Sequence, residues 1–398
     1  MDIFEEPFYK MIQNFSRLIG QWPYQSSRQK FPIVTLIWIA FVTQLIPQFI
    51  AIVIHFDDRD LLFEVFSTLV IDSAFIIKYS NAIYRAGLMK ELWESIKRDW
   101  TLLLNDVEKR TLQHHANLGH FFSTGYSGLA YMSTLIFVTE PIFPKIVNMF
   151  VETNETVPLK LAIPTEYIII DIEKHYWSMS IITTFFVFNV IIVIISCDIV
   201  LITFVQHVCG LFAVVGCRLE STPFDKDYLE GHKGEDYMST SNDIPYKHLV
   251  SCVKGHKRAL EYAERLENAY TLSNGILSVL NAPVMSITGY MMISESNTIE
   301  QLLKHATFAI SQMSHLFFLC FMSQRLTDMS LRIQENIGNA TWYNNSLKSQ
   351  KLLILMLMRS QVPCKLTAAK LMDLSIENFA VVIIKIFLFI IIIYFHSL

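Results

Sequence analysis

The stretch IITTFFVFNVIIVIISCDIVLITFVQHVCGLFAVVG, residues 181–216, is the centre of an apolar run that extends from about Tyr176 to Cys217. A helix rises 1.5 Å per residue, so a run of about 40 residues predicts a helix about 60 Å long. The hydrocarbon core of a bilayer needs only about 20 residues. We therefore expect a membrane-spanning helix that continues beyond the bilayer into the aqueous phase.

Six other stretches have the length and composition of membrane spans, and they bring the predicted number to seven. The chain is 52% hydrophobic and 17% charged, whereas soluble domains are about 45–50% apolar and about 25% charged. The weakest span is the second, because it carries Glu64, Asp72 and Lys78. The six stretches are residues 32–55, 61–83, 121–143, 270–293, 301–324 and 376–396.

Three segments between the spans are predicted to be helical without crossing the membrane. Residues 84–120 place apolar side chains at helical spacing and are expected to continue the second span. Residues 244–269 are expected to form a charged helix that leads into the fifth span. Residues 346–359, SLKSQKLLILMLMR, predict a short apolar helix that is too short to span and ends before Pro363.

The distribution of lysine and arginine predicts the orientation. With the N-terminus inside, the large majority of the 32 basic residues lie in cytosolic segments, as the positive-inside rule requires. Seven crossings then place the C-terminus outside. The sequon Asn154-Glu155-Thr156 falls in the longest outer loop, so Asn154 is a candidate glycosylation site. The outer loops contain four basic residues, Arg59, Lys145, Lys160 and Lys174.

Several classes of protein do not fit this sequence. A G-protein-coupled receptor has the opposite orientation, and the usual D/E-R-Y and N-P-x-x-Y motifs are missing. The chain has no G-x-S-x-G, Walker or G-x-G-x-x-G motif and no Cys-His pattern with zinc spacing. We therefore expect no enzyme activity, catalytic residue, cofactor or metal. A net charge of −4 argues against a nucleic-acid partner, and the lack of TVGYG argues against a potassium-selective pore.

The C-terminal part resembles the most recognisable region of insect odorant receptors. In residues 346–379, an apolar helix with an Arg is followed by Pro, a small-residue pair with Lys, and a hydroxyl-rich lead into the last span. The N-terminal LIGQWPYQ, residues 18–25, is similar to the start of receptors from wasps, bees and ants. The matching C-terminal residues are Arg359, Pro363, Ala368, Ala369, Lys370, Leu374, Ser375, Phe379, Tyr394 and Phe395.

This resemblance implies an all-α membrane protein with seven transmembrane helices, a cytosolic N-terminus, an extracellular C-terminus and a cytosolic helical anchor. It also implies a heterotetramer with a common co-receptor, surrounded by membrane lipid. The chain would be the odorant-binding subunit of a ligand-gated, non-selective cation channel in the dendrite plasma membrane of an olfactory sensory neuron. The alternatives are a self-sufficient cation channel like the gustatory receptors, or a metabotropic G-protein-coupled receptor.

The expected organisation follows from these spans. Residues 1–31 form a cytosolic segment, and residues 32–217 hold transmembrane helices one to four with an outer ligand-binding bundle. Residues 218–269 form a cytosolic loop and helix of the anchor, followed by helices five and six in residues 270–325. Residues 326–375 form further anchor helices, and residues 376–398 form the pore-lining helix.

The resemblance implies an odorant pocket in the outer half of spans two, three, four and six. A pocket for a volatile should be apolar with a few polar groups, and we expect a mainly apolar ligand. Tyr131, Tyr176 and Trp177 each offer a flat face and one hydrogen-bonding atom. Tyr176 and Trp177 also suit anchoring at the membrane interface. The ten candidates are Phe66, Val70, Tyr131, Leu135, Tyr176, Trp177, Ser180, Thr184, Ala306 and Met313.

Candidate pore residues lie at the end of the last span, at Tyr394, Ser397 and Leu398. Ser397 stands where the family usually has an apolar residue, so the co-receptor would supply the hydrophobic constriction that gates by dewetting. Charges inside spans are costly and usually paired or functional. Asp72 and Asp198 are interpreted as polar packing between helices before any ligand role. Lys385 would face the pore vestibule or extend to the membrane interface.

Overall fold

A computed structural model describes residues 3–142, 161–167, 174–221, 244–294 and 299–397. Within these ranges the chain forms ten α-helices and one small hairpin, β1 (Thr367–Ala368) paired antiparallel with β2 (Met372–Asp373). The helices are α1 (Pro7–Leu18), α2 (Ser27–Ile54), α3 (Arg59–Tyr84), α4 (Ala86–Thr101), α5 (Asp106–Thr139), α6 (Tyr176–Glu220), α7 (Ile244–Ser294), α8 (Ile299–Asn339), α9 (Leu347–Ser360) and α10 (Ile376–Ser397).

The overlong fourth span is confirmed as α6, a single helix of 45 residues. It packs against α5, α7, α8 and α3. Its first turns expose Ile181 and Phe185, while side chains around its whole circumference are buried from Leu201 to Gly210. A helix that is apolar on all sides must be buried on all sides in an aqueous phase. The C-terminal half of α6 is therefore the centre of a helical core.

The length and hydropathy of the helices agree with an all-α membrane protein. Of the described helices, four combine sufficient length and hydropathy to cross a bilayer: Ser27–Ile54, Tyr176–Glu220, Ile244–Ile293 and Leu302–Asn339. The helices α3, α5 and α10 have 26, 34 and 22 residues, and a crossing needs about 20. Seven crossings and a cytosolic N-terminus stay predictions from the sequence.

The prediction of one continuous helix over residues 84–120 is wrong. The chain bends at Arg85 after α3, and a second break at residues 102–105 separates α4 from α5. The Asn105 side chain accepts a hydrogen bond from Glu108 N (2.9 Å), and Glu108 Oε2 accepts one from Leu104 N (2.8 Å). This reciprocal capping starts a new helix, and the Asn-x-x-Glu spacing is its sequence signal.

The predicted charged helix before the fifth span and the short helix before Pro363 are confirmed as parts of α7 and α9. The hairpin between α9 and α10 is held against α7. Ala369 N donates to Thr271 O (2.8 Å), and Thr367 N donates to Glu267 Oε2 (2.9 Å). A side chain at Gly275 would bring its Cβ within 2.5 Å of Ala369 Cβ. The glycine therefore permits the close approach of the chain that leads into α10.

The N-terminal motif also has a structural reason. Gly20 adopts a φ of 69°, a conformation that side chains with a Cβ rarely adopt. The turn at Gly20 places Trp22 in the core, where its ring lies edge-on to Phe4 (5.3 Å between centroids) and Trp93 (5.1 Å). This aromatic cluster joins the N-terminal segment to α4 and to Phe204 of α6.

Candidate ligand-binding cavity

A cavity of about 190 Å³ lies between α3, α5, α6 and α8. These helices correspond to predicted spans two, three, four and six. Roughly 10–15 Å³ on this measure holds one water molecule, so the cavity has room for an organic molecule of on the order of ten non-hydrogen atoms. Most of the wall is aliphatic or aromatic, as a site for an apolar molecule requires. Representative wall residues are Ile71, Leu129, Phe137, Val187, Ile191 and Ile195.

The end of the cavity that is predicted to face outward is covered by residues 161–167. Ile163 lines the cavity and packs with Val138 and Val187. The segment is tied to α2, because Glu166 N donates to Pro47 O (3.1 Å) and the Glu166 carboxylate lies 2.9 Å from His55 Nε2. These contacts make the segment a cover over the apolar space.

Ion pairs also join the three helix ends near this cover. Lys304 Nζ, in the first turns of α8, lies 3.2 Å from Glu64 Oε1 and 3.9 Å from Glu140 Oε2. Glu64 belongs to α3, and Glu140 follows the last residue of α5. The pairs therefore hold α3, α5 and α8 together at one end of the cavity.

The opposite end of the cavity is a buried ionic cluster. Tyr126 and His315 line the cavity, and behind them Lys78 forms an ion pair with Asp198. The Tyr126 hydroxyl donates to Asp198 Oδ2 (2.5 Å), and Lys78 Nζ lies 2.6 Å from His315 Nε2. The cluster takes one residue from each of α3, α5, α6 and α8, so it ties together all four helices that surround the cavity. The interpretation of Asp198 as polar packing between helices is confirmed.

A second polar group lies in the wall on the α2–α3 side. Asp72 is 3% exposed and lines the cavity. Gln48 Nε2 donates to Asp72 Oδ2 (2.8 Å), and Gln44 Nε2 lies 3.5 Å from Oδ1. Thr68 Oγ1 donates to Gln48 Oε1 (3.1 Å). Asp72 therefore joins α3 to α2, as polar packing predicts, and also belongs to the cavity wall.

The structure places the ten predicted ligand-binding residues on the predicted helices. Val70 lines this cavity, and the other nine are not among its wall residues. Tyr176 is buried in a cluster with Leu161 and Met179, and its hydroxyl donates to Pro141 O (3.2 Å). Trp177 beside it is 44% exposed, which suits an interface anchor. The other seven lie outside the cavity wall: Phe66 and Leu135 exposed, Ser180 buried, and Tyr131, Thr184, Ala306 and Met313 partly buried.

The reason for this difference is the rotation and depth of each helix. On α5 the cavity side is a stripe at helical spacing, Tyr126, Leu129, Ala130, Ser133, Thr134 and Phe137. Tyr131 and Leu135 lie on neighbouring stripes. On α6 the cavity begins at Val187, one turn beyond the predicted Thr184. The apolar stripe itself was visible in the sequence, but nothing in it showed which stripe faces α3.

The predicted pore residues and the predicted glycosylation site lie where side chains or whole residues are not described. The side chains of Tyr394 and Ser397, in the last turn of α10, are not described, and Leu398 and Asn154 lie outside the described residues. Lys385 is exposed on α10. Among the described residues, no group of three or more His, Cys, Asp or Glu side chains is arranged to hold a metal ion.

Comparison with known families gives a direct match. Residues 60–385 match the family described as 7tm Odorant receptor. The chain is 22% identical to Odorant receptor Or2 of Anopheles gambiae over 325 residues, which cover 79% of this chain and 80% of the relative. It is 24% identical to Odorant receptor 67c of Drosophila melanogaster over 186 residues, covering 47% and 42% of the two chains.

Solved structures have the same fold. The olfactory receptor OR5 from the insect Machilis hrabei, in complex with eugenol, superposes with a TM-score of 0.76 over 96% of each chain. The same receptor without a ligand gives a TM-score of 0.75. Both are 13% identical to this chain, so the similarity concerns the fold.

Proposed function

Because the chain belongs to the insect odorant receptor family, we propose that it is the odorant-binding subunit of a ligand-gated, non-selective cation channel. In this proposal it assembles with a common co-receptor as a heterotetramer in the plasma membrane of an olfactory sensory neuron dendrite. The observation that carries the proposal is the mainly apolar cavity between α3, α5, α6 and α8. The similar Machilis hrabei receptor binds eugenol, a small volatile.

The helix arrangement supports a route from the cavity to the proposed pore. The helix α8 lines the cavity at Thr307 and Ser311, and farther along it packs on α10. Ser323 of α8 exchanges hydrogen bonds with Leu366, the residue before the hairpin that leads into α10. A shift of α8 on ligand binding would therefore move the start of the pore helix. By linkage, an activating ligand must bind the open state more tightly than the closed state.

In the proposed channel, α10 lines the pore, and Tyr394, Ser397 and Leu398 lie at its narrow end. Ser397 provides little hydrophobic constriction, so the co-receptor subunits supply the apolar ring. The cytosolic halves of α6, α7 and α8, together with α9, form the anchor where subunits pack. Val70 and the rest of the cavity wall contact the odorant.

The test is whole-cell current from cells that express this chain with and without an insect co-receptor, in the absence of intracellular guanine nucleotide. A broad panel of volatiles is applied, and surface delivery of each chain is measured in parallel. The expected result is odour-evoked cation current that needs both chains. The matched control is the co-receptor alone, which sets the background for every volatile.

Two other outcomes would replace the proposal. Current from this chain alone would identify a self-sufficient channel like the gustatory receptors. A response that appears only when guanine nucleotide and a G protein are supplied would identify metabotropic signalling and contradict the channel function.

A further inference from the structure

The structure assigns Asp72 as the specificity-determining residue of the cavity, binding a ligand whose polar group donates a hydrogen bond. The ligand class is therefore a small volatile with an apolar body and a hydroxyl or protonated amine. This inference rests on the proposed function and names the chemistry of its ligand. It gives Asp72 the ligand role that the sequence ranks second to polar packing.

The first step is the unused accepting capacity of Asp72. A carboxylate has about four lone-pair sites for hydrogen bonds. In the structure, Gln48 Nε2 makes one good hydrogen bond to Oδ2 at 2.8 Å, while the contact of Gln44 Nε2 with Oδ1 is 3.5 Å, at the limit of a hydrogen bond. Among the described residues, Gln48 is the one strong donor to this carboxylate, which lines the cavity. A ligand donor therefore meets a free acceptor.

The second step is the missing counter-charge. Asp198 is paired with Lys78, and Glu64 and Glu140 both lie near Lys304. In the part of the chain that the structure describes, no lysine, arginine or histidine forms an ion pair with Asp72. A carboxylate that is buried without a cation is costly, and a ligand that brings a donor or a positive charge lowers that cost.

The third step is the character of the neighbouring groups. The Thr68 hydroxyl hydrogen is used within the wall, on Gln48 Oε1 or Val65 O. Gln44 Oε1 is buried and has no hydrogen-bond partner within the described ranges of the chain. The polar patch of Gln44, Gln48, Thr68 and Asp72 therefore has acceptors to spare and no spare hydroxyl donor. A ligand with only an acceptor, such as an ether or ketone, meets at most a neutral amide N–H of Gln44 or Gln48 here. Such a hydrogen bond is weaker than one that the ligand donates to the charged carboxylate.

The fourth step is the shape of the remaining space. Asp72 lies six residues before Lys78 on α3. The polar patch is therefore separated by about 9 Å along the helix from the ionic cluster that contains Lys78. Beyond this patch the wall is mainly aliphatic. It includes Val70 and Ile71 of α3 and Val190 and Ile194 of α6. A linear or ring-shaped hydrocarbon body fills this apolar part, while the donor group reaches Asp72.

The experiment compares probes of similar size that differ in their polar group. n-Octanol and n-octylamine carry donors, whereas n-heptyl methyl ether, methyl hexyl ketone and n-octane carry none. Binding to the purified complex of this chain with its co-receptor in lipid nanodiscs is measured by ligand-dependent thermal stabilisation. The co-receptor alone is measured as background. We expect the donor probes to bind at least about tenfold more tightly than the ether or ketone, because hydrogen bonds to charged groups are strong.

The variant Asp72→Leu removes the acceptor and puts an apolar side chain in its place. We expect the preference for donor probes to fall below about threefold, with n-octane binding unchanged or tighter. The variant Asp57→Asn changes an exposed acid outside the cavity and should leave every ratio unchanged. The wild-type comparison tests the inference even if Asp72→Leu fails to fold.

Three results would overturn the inference: equal or tighter binding of the ether or ketone, an unchanged donor preference in Asp72→Leu, or no binding of either donor probe. Tighter binding of the ketone would mean that the carboxyl carries its own proton and acts as a donor. Tighter binding of the amine than of the alcohol would assign an ionic contact, and equal binding would assign a hydrogen bond.

Binding without evoked current would contradict the proposed channel and keep this inference. Equal currents with ether and alcohol would keep the proposed channel and contradict this inference.

Discussion

Single residues show how this protein carries charge inside a bilayer. The pair Lys78–Asp198 has side chains that are 8% and 14% exposed. Tyr126 donates a further hydrogen bond to Asp198, and His315 contacts Lys78. Removing one partner from such a pair leaves an uncompensated charge and typically costs about 3–5 kcal/mol, whereas replacing both partners by apolar residues is often neutral.

The variant Asp198→Leu should therefore lower the thermal stability of the purified protein sharply. The double variant Lys78→Met with Asp198→Leu should recover most of the loss, because no unpaired charge is left. Midpoints of thermal unfolding would be measured by size-exclusion chromatography after heating. The variant Lys90→Met breaks an exposed pair with Glu94 (3.7 Å) and should change the midpoint little, since surface pairs contribute about 0–1 kcal/mol. A double variant no better than Asp198→Leu would contradict this account.

Titration of one buried histidine gives a second prediction at this scale. His256 lies in the predicted cytosolic part of α7, where burial, together with the charge of Arg359, lowers its pKa from 6.5 to about 4. The folded state therefore favours the neutral ring, while an unfolded chain takes up a proton near pH 6.5. Stability should fall as the pH is lowered from about 6.5 to about 4.

The variant His256→Gln should reduce this pH dependence of the unfolding midpoint. Part of the slope should remain, because burial likewise lowers the pKa of His115 to about 4. The variant Gln113→Ala changes an exposed residue of α5 that does not titrate and serves as the control. A slope that is the same in His256→Gln and the wild type would show that His256 does not contribute.

At the scale of elements, close contact between α7 and the hairpin gives the third prediction. In an open helical position, replacing Gly by Ala stabilises a helix by about 0.5–1 kcal/mol. At Gly275 the new Cβ would lie 2.5 Å from Ala369 Cβ and 2.8 Å from Ala369 N, so the backbone of the hairpin must move. Gly125 lies in a helix with nothing within 4 Å of the added Cβ.

The variant Gly275→Ala should lower the unfolding midpoint and weaken any evoked current, because the hairpin leads directly into α10. The matched variant Gly125→Ala should leave the midpoint unchanged or raise it. Both are measured by the same thermal assay and by whole-cell current. Equal effects of the two changes would show that the contact with Ala369 is unimportant.

At the scale of the whole molecule, the distribution of basic residues predicts an orientation that helix packing alone does not decide. An epitope at the N-terminus should be labelled by antibody only after permeabilisation, while an epitope after Leu398 should be labelled on intact cells. The variant Asn154→Gln should lower the apparent mass of the protein if the loop is outside and glycosylated. An N-terminal epitope that is labelled on intact cells would contradict the cytosolic N-terminus.

Much of the architecture could be predicted because its causes are local. Hydropathy located the spans that correspond to α2, α3, α5, α6, α7, α8 and α10. The predicted orientation follows from the positions of the basic residues between these spans. The break before α5 was missed although the capping residues Asn105 and Glu108 were visible. An apolar pattern at helical spacing can continue across such a break, whereas the capping residues mark the start of a new helix.

The sequence alone determined the helical class, the length of α6, the order of the helices and the family resemblance, because hydropathy and motifs depend on neighbouring residues. The tertiary structure alone decided which stripe of each helix faces the cavity. Each residue turns a helix by about 100°, so a small error in rotation moves a side chain such as Tyr131 from the cavity to another surface. It also decided that Lys78 meets Asp198, 120 positions away, and that Asp72 lines the cavity without an ion pair to any cation among the described residues. Such pairings depend on the packing of distant helices, which no local pattern contains.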